Sequence, residues 1–307
     1  TRTRVRACAR DRTRACARAR ARAHGPAGAL SALAPRRRSC RLRQVIDLLC
    51  IDVDGTLVGA SGQVRPAVWA ATERARARGL HLALCSGRPA FGVARAYAER
   101  LDPEGWHVFQ NGASVLHLPT GRSLSAKLPE NLVSELVGRA RSLGRLLELY
   151  SDDEYAVEQD SERARRHAEL LGVPFAVRPF ESLRGPVVRA QWLVPEAEGE
   201  ALLGEPAPGL ERTSSTSPIM PGTLFVNLTA AGIDKGSAVR AIAEALGIPL
   251  SRVMAVGDGG NDLGMLRAVG HPVAMGNAEP ALLAAARLVV RSVEEDGLLE
   301  AIDLALA

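Results

Sequence analysis

The sequence predicts an α/β protein: a Rossmann-like open parallel sheet with a smaller α+β cap inserted into it. Three observations carry this. Apolar strands alternate with helical segments over residues 45–112 and again over 223–307, the pattern of β–α–β units. Residues 113–222 change character, to strands of alternating polarity with interleaved helices, as an antiparallel sheet with one wet face requires. Polar residues stand at the C-terminal ends of successive core strands, where an open parallel sheet receives its ligand.

The elements follow in order. An apolar strand over 46–52 leads to the helix PAVWAATERARARG (66–79). The strand LHLALCS (80–86) leads to a helix in RPAFGVARAYAERL (88–101), and WHVFQNG (106–112) is a third strand. In the inserted part, SVLHL, SLSAKL, RLLELYSDDEYAVE and VVRAQWLV (187–194) read as strands. PENLVSELVGRARSLG (129–144) and SERARRHAELLG (161–172) read as helices, and 200–222, rich in Pro, Gly, Ser and Thr, as a loop. TLFVNLT (223–229) resumes the parallel pattern, followed by the helix DKGSAVRAIAEALG (234–247) and the strand RVMAVGD (252–258). A helix at 261–270, a strand at 272–276, a short helix from Glu279 and a strand at 287–292 complete the sheet.

The chain has 307 residues, 47% hydrophobic and 24% charged, an ordinary globular composition. No run of ~20 apolar residues is available to span a membrane. Five cysteines, at 8, 16, 40, 50 and 85, have no metal or disulfide spacing. Cys50 and Cys85 lie in apolar runs as core thiols, which fits a reducing cytoplasm.

The net charge of +5 is unevenly placed. Residues 1–44 hold 14 Arg and one acid, Asp11, for +13, and the remainder is −8. That Arg/Ala-rich segment has no apolar periodicity and is expected to be disordered. It reads as a binder of nucleic acid or an anionic surface, as an Arg-rich targeting peptide, or as a stretch outside the natural protein. The last is favoured, with a natural start near Val45, because the chain begins with Thr1 and its first Met is Met220. Nucleic acid is not an expected partner, since the rest of the chain is acidic and the tail offers no aromatic platform.

In LLCIDVDGTLV (48–58), Asp52 and Asp54 stand at the mouth of a buried strand. Asp258 and Asp262 arrive at the end of another, in GDGGND (257–262). Each alone reads as a strand end or a helix cap. Together they do not, because two unit charges ~4 Å apart repel by roughly 4 kcal/mol at an effective dielectric near 20. A cation must offset them, and hard oxygen donors on an open rim suit Mg²⁺ with a substrate phosphate. Lys235, after Asp234 in IDKG, brings an ammonium to the same rim.

DVDGT (52–56), Ser86, Lys235 and GDGGND resemble the four motifs of the haloacid dehalogenase-like phosphatases. CSGRP (85–89), QNGA (110–113), IDKGSAV (233–239), VAMGNA (273–278) and EEDGL (294–298) are similar to the Cof-type branch, which acts on sugar and other small phosphates. DxDGT alone has on the order of one chance in a few hundred of arising in such a chain, so the ordered set is specific. The resemblance covers nearly all of 45–307, most securely the core.

It implies a Mg²⁺-dependent phosphatase of small phosphate monoesters. Asp52 would be the nucleophile, and Asp54 the acid that protonates the leaving group and then the base that activates water. Ser86 would donate to a phosphoryl oxygen, helped by a helix opening near Pro89, and Lys235 would bridge phosphate and nucleophile. Asp52, the backbone carbonyl of Asp54, and Asp258 would hold the metal. Asp262 would support it through water or orient Lys235. Thr56, Gly87, Arg88, Asn111, Gly112 and Asn261 are the candidate substrate contacts. Arg88 also reads as a surface ion pair, Asn111 as a turn residue, and Thr56 as a local turn fixer. Asp152 and Asp153 form a solvated hairpin or reach the site, the histidines lack ligand spacing, and Trp192 reads as cap core. The implied partner is a small-molecule phosphate ester, with no membrane and a monomer or weak homodimer as the assembly. Alternatives are a sugar phosphomutase of the same superfamily and a nucleic-acid binder acting through the basic tail.

Overall fold

The structure, a computed structural model, describes residues 45–217 and 219–307. The expectations for residues 1–44, including the start near Val45 and the role of the basic tail, concern a segment that ends where the described residues begin.

The core sheet is built on β1 (Leu48–Asp52), which pairs in parallel with β2 (His81–Cys85) on one side and β11 (Val253–Gly257) on the other. β3 (Trp106–Phe109) follows β2, and β12 (His271–Ala274) and β13 (Leu288–Val289) follow β11, all parallel. β4 (Ser114–His117) and β5 (Arg122–Ser123) extend the β3 edge antiparallel, making eight strands.

Helices cover both faces, which is why β1 is apolar at both parities. Leu49 and Ile51 pack with Leu82, Leu84 and Val256 under α1 (Pro66–Ala77), α2 (Val93–Leu101) and α9 (Gly297–Ala305). Leu48 and Cys50 pack on the other face with Ala83, Cys85 and Ala255 under α6 (Lys235–Leu246), α7 (Leu263–Ala268) and α8 (Pro280–Ala285). A strand repeats its facing every second residue, so Asp52 shares the face of Leu48 and Cys50. That is the face of α6, whose first residue is Lys235.

The cap is a five-stranded antiparallel sheet in the order β7 (Tyr155–Val157), β6 (Leu147–Tyr150), β8 (Arg189–Pro195), β10 (Thr223–Ala230), β9 (Leu210–Ser215). α3 (Glu130–Leu143) and α5 (Glu196–Gly204) pack on one face through Leu136, Ala140, Leu202 and Trp192. α4 (Glu162–Leu171) packs on the other through Ala164, Ala168 and Leu171, against Tyr150, Leu193 and Phe225.

The structure moves both expected cap boundaries. Ser114–His117 belongs to the core sheet, because an antiparallel strand can follow β3 directly, without a crossover helix. Residues 223–229 were expected in the parallel core and instead lie in the cap, antiparallel to β8 and β9. Val226 and Leu228 face α3 and α5 while Phe225 faces α4. A strand buried on both faces reads alike in either sheet. The expected loop 200–222 contains the end of α5 and the edge strand β9, whose sequence LERTSS is held by backbone pairing with little apolar burial. We therefore place the cap at about 127–230, with core on either side.

Helix α2 begins at Val93, not near Pro89. The intervening loop is committed to the cap: Phe91 packs with Tyr150 and Tyr155, and a Cβ on Gly92 (φ +61°) would lie 2.2 Å from the Leu171 carbonyl oxygen. The N-terminus of α2 therefore lies seven residues beyond Ser86.

Candidate active site

Asp52, at the end of β1, is 5% exposed. Lys235, the first residue of α6, is fully buried, and its Nζ donates to Asp52 Oδ1 at 2.5 Å and to Asp262 Oδ1 at 2.6 Å. The helix start is fixed by a capping box, in which Asp234 accepts from the Ser237 amide at 2.7 Å and Ser237 Oγ accepts from the Asp234 amide at 3.0 Å. Gly112 lets that start come close: at its φ of +101° a Cβ would sit 2.1 Å from the Asp234 carbonyl oxygen. Gly112, a candidate substrate contact, thus also sets how closely α6 approaches.

Asp262 is fully buried and both its oxygens are used. Oδ1 accepts from Lys235, and Oδ2 accepts from the amides of Asp258 and Gly259 at 3.0 and 3.1 Å. Asp262 thus holds Lys235 with one oxygen and two backbone amides with the other, which leaves it poorly placed as a direct metal ligand. Thr56 donates from Oγ1 to Asp258 Oδ1 at 2.9 Å and is 1% exposed, so its hydroxyl serves Asp258 and not a substrate.

Asn277 Nδ2 reaches Asp258 Oδ2 at 3.3 Å and the Gly55 carbonyl at 2.9 Å, and its Oδ1 accepts from the Val293 amide. Asn277 is not among the residues singled out from the sequence, though the VAMGNA motif that contains it was the available signal. Gly55 (φ +88°) passes so near Asp258 that a Cβ would lie 2.1 Å from Oδ2.

On the other side of Asp52, the Ser86 carbonyl accepts from the Asn111 amide at 3.0 Å and Ser86 Oγ accepts from the Arg88 amide at 3.0 Å. Arg88 forms a two-pronged pair with Asp54, Nε to Oδ2 at 3.0 Å and Nη2 to Oδ1 at 2.5 Å. Asp54 is the more exposed partner, at 58% of its side chain. Asn261 Nδ2 donates to Asn111 Oδ1 at 3.0 Å, and Gly87 lies against that same Asn111 side chain. Asp152 sits in the β6–β7 turn, where its carboxylate accepts from Ser114, Ser123 and Ser125 across the cap–core junction. His107 and His167 are buried structural groups, on Asp102 and Leu84 and on Glu148 respectively.

The electrostatics point outward. One oxygen from each of Asp52, Asp258 and Asp262 lies within 4.8 Å of the others. Were all three ionised, Lys235 would offset one charge and leave two, the deficit a single divalent cation would fill. Burial, then Asp262, pushes Asp52 well above the usual carboxylate range, and Lys235 only partly offsets this. Burial likewise raises Asp258, to about 6, against the pull of Thr56. Asp262 and Asp52 outweigh the burial of Lys235 and hold its ammonium charged. An all-oxygen set with this deficit fits Mg²⁺.

No helix of the described residues is long and apolar enough to cross a membrane. Residues 49–302 match the family model described as haloacid dehalogenase-like hydrolase. The protein YxeH of Bacillus subtilis (strain 168) is 32% identical over 269 residues, covering 85% of this chain and 98% of its own. HMP-PP phosphatase of Cronobacter sakazakii is 28% identical over 235 residues, covering 76% and 85%. Among solved structures, the subclass IIB sugar phosphatase BT4131 superposes with a TM-score of 0.70 at 26% identity, over 84% of this chain and 98% of that one. With the rim of acids around Lys235, these likenesses make the chain a member of the haloacid dehalogenase-like hydrolases, in their Cof-type phosphatase branch.

Proposed function

We propose that the chain is a Mg²⁺-dependent phosphatase of small phosphorylated metabolites, sugar or cofactor monoesters, working through an aspartyl-phosphate on Asp52. The observation that carries this is the Asp52 carboxylate at a strand end, gripped by Lys235, with a second acid, Asp54, two residues on. The substrate class is supported by relatives named as phosphatases of HMP-PP and of 5-amino-6-(5-phospho-D-ribitylamino)uracil, and by the sugar phosphatase BT4131.

In this reading Asp52 attacks phosphorus while Lys235 holds its carboxylate in line. The P–O bond to the leaving group breaks, and Asp54 gives that oxygen its proton. Asp54 then takes a proton from water, which attacks phosphorus and returns Asp52 and inorganic phosphate. Arg88 must exchange Asp54 for a phosphoryl oxygen as substrate enters, which frees the acid. Ser86 donates its hydroxyl proton to the same group. Asp52, Asp258 and the Asp54 carbonyl would hold Mg²⁺, which would supply charge screening between the nucleophile and the phosphoryl oxygens. The cap would exclude water until substrate is seated. The free, buried Cys50 and Cys85 support a cytoplasmic location.

The test is phosphate release from a panel of sugar and cofactor monophosphates, with Mg²⁺ and with chelator, by the wild type and Asp52→Asn. Turnover that needs both Mg²⁺ and Asp52 is expected. Transfer to a second sugar without phosphate release would assign a mutase, and turnover that survives Asp52→Asn would overturn the reading.

A further inference from the structure

A second buried cation lies on the cap side of the site. Arg189, the first residue of β8, is 3% exposed and pairs across strands with Tyr150 of β6. Its guanidinium lies 4.0 Å over the Tyr150 ring, and Nη1 donates to Asn227 Oδ1 at 3.3 Å. The same Nη1 crosses to the core and donates to the Gly87 carbonyl at 2.8 Å. Nε is buried with no partner, and among the described residues no carboxylate bonds this guanidinium. The nearby acid, Glu148, is already held by Tyr150 Oη and by His167 Nδ1 at 2.8 Å. A buried cation left on neutral acceptors is costly, so its placement calls for a reason.

The reason lies in the peptide it grips. The Gly87 carbonyl and the Arg88 N–H belong to one peptide group. That N–H donates to Ser86 Oγ at 3.0 Å. A guanidinium on the carbonyl polarises the peptide and strengthens its N–H as a donor. With a lone pair of Oγ so occupied, the Ser86 hydroxyl proton is turned to another acceptor. The loop is clamped from further directions: the Gln110 amide donates to the Arg88 carbonyl at 2.9 Å, and Gln110 Nε2 reaches the Ser151 carbonyl of the cap at 2.9 Å. Phe91 stacks with Tyr150 and Tyr155 at ring-centre distances of 6.4 and 6.1 Å. The segment that carries Ser86 and Arg88 is thus the segment on which the cap rests.

We propose that Arg189 is a positioning residue, which grips the Gly87 carbonyl from the cap and thereby sets the Ser86 hydroxyl for the phosphoryl group. Seating of the cap and recognition of the phosphoryl group are then one event. This rests on the phosphatase reading for its catalytic consequence, but the coupling itself does not.

The full chain carrying Arg189→Gln or Arg189→Lys separates the two. Hydrogen exchange over residues 86–91 should quicken in the glutamine variant by about tenfold or more and stay near wild type in the lysine variant. With p-nitrophenyl phosphate as the probe, kcat should fall about tenfold for glutamine with KM changed less than about threefold, and lysine should restore most of it. In a Ser86→Ala background the glutamine change should cost less than about twofold more, because one relay has already been cut. Should glutamine not fold, Arg189→Met repeats each measurement with the packing over Tyr150 kept. Unchanged exchange at 86–91, equal losses for lysine and glutamine, or full additivity with Ser86→Ala would each overturn the proposal. A wild type with no turnover on any ester sinks the phosphatase reading instead, and exchange alone then decides the coupling.

Discussion

The rim of the core and the inner face of the cap each bury one cation, and they treat it in opposite ways. Lys235 stands between Asp52 and Asp262, with both contacts at or below 2.6 Å. Arg189 meets a peptide carbonyl, an amide oxygen and a ring face. The core thus gathers three carboxylates that could hold a metal ion, while among the described residues no carboxylate bonds the cation of the cap. Lys235 is thus matched by charge, whereas Arg189 is matched by neutral groups, one of them the Gly87 carbonyl of the core.

The contrast breaks most sharply at Lys235. Lys235→Met leaves two buried carboxylates uncompensated, and should cost about 3–5 kcal/mol in urea unfolding. It should also lower kcat/KM by at least about 10³-fold, read by phosphate release. If stability held, Lys235 would not be offsetting the charge of Asp52 and Asp262.

A smaller effect separates the modules by pH. Burial lowers His107, in the core, to about 4, despite the Asp102 carbonyl that favours its charged form. The folded protein then keeps His107 neutral where the unfolded chain, with its ordinary value of 6.5, is already protonated. Stability should be lost as pH falls from about 6.5 to 4, by about 3 kcal/mol in all. His107→Gln should flatten that part of the profile, measured by denaturant titration across the range, and an unchanged slope would place the acid sensitivity elsewhere.

Smaller still is the junction. Asp152→Ala removes one acceptor of three serine hydroxyls and should cost about 1 kcal/mol. Least of all is Arg189→Met, which should leave stability within about 1 kcal/mol of wild type, or raise it, since an apolar isostere removes a desolvated charge. A large loss there would make Arg189 a structural ion like Lys235 and erase the contrast.

The rim was legible because its chemistry is local in sequence. DVDGT sets two acids at one strand end, IDKG opens a capped helix, and GDGGND brings two acids within five residues. Strand parity then does the rest, placing Asp52 on the α6 face. The cap was harder to read. β10 is apolar on both sides, so it fits either sheet, and β9 has almost no apolar signal at all. The start of α2 differs because residues 88–92 read as helix, while Arg88 pairs with Asp54 and Phe91 packs against the cap. Thr56 and Gly112 are typical phosphate-site residue types, and only their partners, Asp258 Oδ1 and the Asp234 carbonyl, reveal their structural use. Arg189, one charge in VVRAQWLV, looks like a solvated strand residue until the core loop is seen beneath it.

The most direct test of the account is a covalent one. Enzyme turning over a phosphate monoester with Mg²⁺ is quenched in acid, digested and analysed by mass spectrometry. A phosphoryl group is expected on the peptide carrying Asp52, sequenced to that residue, and lost in Asp52→Asn. A phosphoryl group on any other residue, or turnover with no covalent species in wild type while Asp52→Asn remains active, would contradict it.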